Sequence, residues 1–190
     1  MLTPEQRYEN KIKYLELLSK LNVDLTQFSK YLDSIDYFEK PLTSQNFRAY
    51  AGGLCEYALD LYESLKFLCN SYCPISGYTE EDLIKVALLK DLYRACLYEV
   101  GTKNVKNEET NQWESVVCYK VTDNRPMYGD IGFSSYMIAR YFFVLSDEQV
   151  EAIVNAEFKG GTMNDIQDIR KRFKLVTLTG MADIACYYLK

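Results

Sequence analysis

Along most of the chain, apolar residues recur at three- and four-residue intervals, the pattern of amphipathic helices. Tyr8, Ile12, Leu15, Leu18 and Leu21 form the first such stripe. It follows Thr3-Pro4-Glu5-Gln6, where Thr3 is a helix N-cap, Pro4 suits the first turn and Gln6 closes a capping box. A second short helix is expected over Asp24 to Ile35, with Phe28, Tyr31 and Leu32 on its apolar side. Pro41 to Phe47 reads as a loop. A long helix is expected from about Tyr50 to Cys69, with Leu54, Ala58, Leu61, Leu65 and Leu68 as its stripe, ended by Pro74 and Gly77. Thr79 caps the next helix, and Glu80, Glu81 and Asp82 are favoured in its first turn. Leu83 to Leu92 is apolar except for Lys85, Lys90 and Asp91, which predicts a central, buried helix.

The period then changes. Val117, Tyr119 and Val121 alternate with polar residues, and Asn104, Asn107 and Asn111 supply turn chemistry before them. This predicts a small β-hairpin over about residues 98–124, Val100–Val105 pairing with Trp113–Val121. Helical spacing resumes at Ser134–Val144. Ser146 and Gln149 form a capping box for a helix to about Phe158, Gly160-Gly161 breaks it, and two helices close the chain over Asp165–Arg172 and Lys174–Tyr188. The class is mainly α with one inserted β-hairpin, in a single domain spanning 1–190 whose N-terminal helices cover 3–35.

Composition narrows the function classes. Apolar residues at 48% and charged residues at 26% describe a globular chain rather than a disordered one. The formal net charge of -5 opposes binding to duplex nucleic acid. The one dense basic cluster, Arg170-Lys171-Arg172, is equally an exposed helix turn. No apolar run is long enough for a membrane span, and the charged, amphipathic start is unlike a signal peptide. Six cysteines without a C-x-x-C pair read as reduced, mostly buried thiols of a cytoplasmic protein. The seventeen tyrosines suit core margins or an aromatic pocket. The chain has no histidine, so no Ser-His-Asp or Cys-His arrangement can be built.

Ala49-Tyr50-Ala51-Gly52-Gly53-Leu54-Cys55-Glu56-Tyr57 resembles the G-G-L-L-E-H-S segment of stand-alone HD-domain phosphohydrolases of bacteria and their phages. Val86 to Leu92 is similar to that family's L-L-H-D segment, Cys96 to Glu99 to N-F-Y-E, Tyr128 to Ser134 to F-G-H-G-E-K-S, Glu148 to Glu157 to the E-E-A-L-A-I-R-W-H helix, and Met181-Ala182-Asp183 to a closing I-A-D. The segments fall in the same order over residues 38–189. The resemblance implies an HD-like helical bundle whose metal histidines have been replaced, by Tyr57, Lys90, Asp130 and Ala156. Asp91 and Asp183 are the acids that remain in place. Imidazole is what holds transition metals at neutral pH in such sites, and the metal generates the attacking hydroxide. The implication is a pseudoenzyme with no catalytic residue, no metal and no cofactor.

Lys90 then has two readings: an ammonium standing where a metal stood, neutralising Asp91 or Asp183, or a lysine snorkelling to the surface. Gly52-Gly53 either approaches a phosphate or permits close helix packing. Three functions follow. The first is binding, without hydrolysis, of a small anionic nucleotide-like ligand by Arg48, Tyr57, Lys90, Asp91, Arg94, Arg125, Tyr128, Asp130 and Asp183; arginine and lysine would hold phosphate and tyrosine would stack on a base. By the phage resemblance, that ligand is a nucleotide signal of bacterial immunity held by a sponge. The second is a protein–protein inhibitor or scaffold acting through surface tyrosines and Trp113, with self-association left open. The third is a residual phosphohydrolase with an acid-only metal site of Asp91, Asp130, Asp183 and Glu56.

Overall fold

The computed structural model describes residues 1–72, 77–125, 129–156 and 163–189. Among them the chain runs through α1 (Pro4–Ser19), α2 (Thr26–Ser34), α3 (Gly53–Tyr72), α4 (Glu80–Leu89), β1 (Tyr98–Lys106), β2 (Trp113–Val121), α5 (Ile131–Ala139), α6 (Asp147–Asn155), α7 (Met163–Arg172) and α8 (Lys174–Tyr188). Short 3-10 turns lie at Tyr37–Glu39 and Leu92–Cys96. The fold is mainly α with one antiparallel hairpin, the class that the patterning predicts. No helix among the described residues is long and apolar enough to cross a membrane.

Local chemistry sets the helix starts. Thr3 with Gln6, Thr79 with Asp82, and Ser146 with Gln149 each form a complete capping box. Each box satisfies two backbone donors that a helix start leaves unpaired. α3 begins at Gly53, later than the stripe suggested. Arg48 at φ 51° and Gly52 at φ 82° place left-handed residues just before it. A Cβ on Gly53 would sit 2.4 Å from the Arg48 carbonyl oxygen, so the glycine pair serves close backbone packing. α5 begins at Ile131, earlier than expected, because the Asp130 carboxylate accepts from the Phe133 N–H at 2.8 Å and caps it. The predicted extension of α6 to Phe158 reaches residues outside the described set.

α3 packs against α1, α4 and α8, and α6 packs against α4, α5 and α8. Leu54, Leu61 and Leu65 of α3 meet Ile84, Val86 and Leu88 of α4 and Val176 and Ala182 of α8 in one core. The predicted α3 stripe is buried apart from Leu68, which is partly so. The α1 stripe needs correction. Tyr8 and Ile12 are exposed, and the buried positions are Tyr14, Leu18 and Leu21. That i, i+4, i+7 set is an equally regular helical face, and Tyr14 decides between the two. Its ring packs on Tyr37 and Phe38, and its hydroxyl donates to the Leu88 carbonyl at 2.9 Å. A tyrosine can therefore anchor a core once its hydroxyl has a partner.

α4 stops at Leu89, short of the predicted Leu92. Asp91, at φ -109° and ψ 17°, leaves helical geometry, and the chain tightens into the 3-10 turn. In the hairpin, Val100 faces Tyr119, Thr102 faces Val117 and Lys106 faces Trp113. Cys55, Cys69 and Cys186 are buried, and Cys96 and Cys118 are half-buried.

Candidate functional site

The end of α4 turns Lys90 into the interior, where it is 1% exposed. Its Nζ lies 2.8 Å from Asp91 Oδ2 and 3.3 Å from Asp183 Oδ1. Arg94, one turn on, places Nε 2.5 Å from Asp91 Oδ1. From α3, the Tyr57 hydroxyl donates to Asp183 Oδ1. Two cations and two carboxylates from the α4 end, the 3-10 turn and α8 thus alternate in a buried chain, closed by a phenol. Lys90 does not snorkel outward; it sits between Asp91 and Asp183.

Charge opposition explains how this arrangement stays folded. An isolated buried ion carries a desolvation cost of several kcal/mol, whereas two unit charges about 4 Å apart attract by roughly 4 kcal/mol at an effective dielectric near 20. Burial works to raise the Asp91 carboxyl, but the Lys90 and Arg94 charges outweigh it and hold the group well below the usual carboxylate range. Burial pushes Asp183, whose cationic neighbour is the Lys90 ammonium, up to about 7. The two acids therefore differ: the cations beside Asp91 favour its anion, whereas burial disfavours that of Asp183.

Beside this network lies a cleft of about 290 Å³. Lys90 reaches it from α4, Leu97 and Arg125 from the two roots of the hairpin, Asp130 and Gly132 from the start of α5, and Val154 from α6. A Cβ on Gly132 would sit 2.5 Å from the Val154 carbonyl oxygen, so the glycine lets α5 and α6 close that wall. Arg125 is exposed and donates from Nη1 to the Thr122 carbonyl at 3.2 Å.

The nine residues singled out from the sequence separate accordingly. Lys90, Arg125 and Asp130 line the cleft. Tyr57, Asp91, Arg94 and Asp183 form the buried network behind it. Arg48 is not part of either: it packs over Phe47, with its guanidinium centre 5.8 Å from the Tyr57 ring, and bonds Asp60. Tyr128 lies outside the described residues. Ala156, at a position where the resemblance puts a histidine, is buried. Of the acids of an acid-only metal site, Asp91 and Asp183 meet at Lys90, where an ammonium already faces them. Glu56 accepts from the Tyr50 hydroxyl at 2.5 Å, and Asp130 caps α5. Among the described residues no three His, Cys, Asp or Glu side chains are placed to hold a metal ion. Sequence reasoning missed Leu97, Gly132 and Val154; a glycine in the first turn of a helix was the one available signal.

No family model, curated protein or solved structure matches this chain. The likeness to HD-domain proteins therefore rests on the residues quoted for it.

The Lys90 bridge has a direct consequence for metal dependence. The melting temperature is expected to be the same, within about a degree, with and without a strong chelator, because the retained acids already face cations. A drop of several degrees on chelation, reversed by one divalent metal, would contradict this.

Proposed function

We propose that this chain is a binding protein built on an HD-like bundle, taking a small anionic, nucleotide-like ligand in the cleft and not hydrolysing it. The observation that carries the reading is the placement of Lys90 and Arg125 on one cleft, with the Lys90 ammonium between the two acids. Arg125 puts a planar donor fork at the mouth, and the Lys90 ammonium, shared with Asp91 and Asp183, lies at the inner wall. Leu97 and Val154 offer apolar surface beside them, the mixture that small-molecule sites use. The negative total charge favours a small anion over a long nucleic acid. A sponge for a nucleotide signal fits this chemistry, since such a protein needs affinity without turnover.

Calorimetry against inorganic phosphate, mononucleotides, dinucleotides and cyclic oligonucleotides tests the reading. At least one nucleotide is expected to bind. Arg125→Ala, at an exposed position, is expected to weaken binding about tenfold, the loss of one charge-assisted hydrogen bond. Incubation with Mn²⁺, Mg²⁺, Ni²⁺ or Co²⁺ should give no nucleotide hydrolysis. Binding by none of these compounds, or turnover abolished by Asp91→Ala, would overturn the proposal.

The hairpin supports a second reading, a protein–protein module. Val100, Trp113 and Val117 are exposed on it, an apolar surface of the kind that partners cover.

A further inference from the structure

A two-stranded hairpin is marginal in water, whereas three or more strands with an apolar face are stable. Here the register puts Val100, Trp113, Val117 and Val121 on one face of the hairpin. The first three are each at least 70% exposed, and Val121 is 49% exposed. The two outer edges differ. On β1, Lys40 Nζ donates to the Tyr98 carbonyl at 3.4 Å. On β2, no backbone group of Trp113–Val121 bonds to backbone outside the hairpin, among the described residues. A hollow of about 420 Å³, lined also by Met1, Leu2, Ser44 to Asn46 and Lys103 of β1, borders Val117 to Tyr119.

The sequence of β2 is self-complementary about Val117. Val116 and Cys118 flank it, then Ser115 and Tyr119, then Glu114 and Lys120, then Trp113 and Val121. We propose that β2 pairs antiparallel with β2 of a second copy across a two-fold axis at Val117, forming a four-stranded sheet in the order β1-β2-β2-β1. Each partner of Val117 then matches in kind. Glu114 faces Lys120 of the other copy, Trp113 faces the other Val121, and the two Val117 side chains meet on the axis. Side-chain alternation puts the charged pairs on one face and joins the exposed valines and tryptophans into one apolar face on the other. Such an isologous pairing uses the same patch on both copies, and main-chain bonds along an open edge supply the contact. An equivalent axis on β1 would centre on Thr102 and set Glu99 against Val105 and Val100 against Asn104, with no pair of opposite charges. This surface is independent of the cleft.

Sedimentation equilibrium of the full chain provides the test. Wild type should show a reversible dimer. Lys120→Glu and Glu114→Lys each place like charges opposite one another twice per dimer, and each should raise the dimer Kd about tenfold or more. The variant carrying both exchanges should return near the wild-type value. Within one copy the two residues are six positions apart on an extended strand, roughly 20 Å, so rescue can arise only between copies. Circular dichroism checks that each variant is folded. A wild-type chain that stays monomeric up to about 100 µM, which excludes a dimer Kd at or below that value, would overturn the proposal. So would a dimer indifferent to both single exchanges, or single-exchange losses without rescue in the double variant.

Discussion

Lys90→Met is expected to lower the unfolding free energy by about 3–5 kcal/mol, the usual cost of removing one member of a buried ion pair. Methionine matches lysine closely in length, so little of the loss comes from packing. The loss comes from the Asp183 and Asp91 carboxylates, which lose an ammonium 3.3 and 2.8 Å away. Replacing the exposed Lys171 by Met should change stability by no more than about 0.5 kcal/mol. The geometry also identifies the better rescue. Asp91 keeps Arg94 at 2.5 Å when Lys90 is lost, and Asp183 keeps only neutral help from Tyr57 among these groups. Lys90→Met with Asp183→Asn should therefore recover more than Lys90→Met with Asp91→Asn, which strands the guanidinium. Denaturant unfolding of the three variants measures this. An unchanged midpoint for Lys90→Met would show that the buried bridge contributes nothing.

The same network gives stability a pH dependence with opposite signs from its two acids. Asp91 is depressed in the folded state, so its contribution is complete above its ordinary value of 3.8 and is lost as pH falls toward the folded value. Asp183 is raised, from 3.8 to about 7. The folded state then holds the proton more tightly than the unfolded chain, so this contribution is complete below pH 3.8. It declines through the interval and is gone above about 7. Three pH units correspond to about 4 kcal/mol at the most, and Lys90 at 3.3 Å reduces that by favouring the carboxylate. The measurable result is a fall in unfolding free energy from pH 4 to pH 7 that Asp183→Asn flattens. A slope identical in wild type and Asp183→Asn would assign it to other groups.

What the sequence disclosed follows from which interactions are local. The capping boxes at Thr3 and Ser146, the cap at Thr79, the α3 stripe and the hairpin pairing all depend on residues close in the chain, and all are readable from it. The α1 face was misjudged because two helical stripes overlap, and only the Tyr14 hydroxyl meeting Leu88, seventy-four positions away, selects between them. At the candidate site, Lys90 beside Asp91 was visible as an oddity in an apolar helix. That both acids share its ammonium depends on α8 folding back, which spacing alone does not encode. Arg48 was grouped with the cleft on charge, yet its left-handed backbone and Asp60 hold it elsewhere. The apolar wall at Leu97 and Val154 carries no distinctive chemistry in the sequence, since aliphatic residues read the same in a core and in a cleft.

The two roots of the hairpin are tied together by one backbone hydrogen bond, from the Thr122 N–H to the Leu97 carbonyl at 2.9 Å. Leu97 and Arg125, flanking that clasp, are both walls of the cleft. Because the Arg125 guanidinium also bonds the Thr122 carbonyl, one residue of β2's root anchors both the aliphatic wall and the guanidinium, like a shared hinge pin.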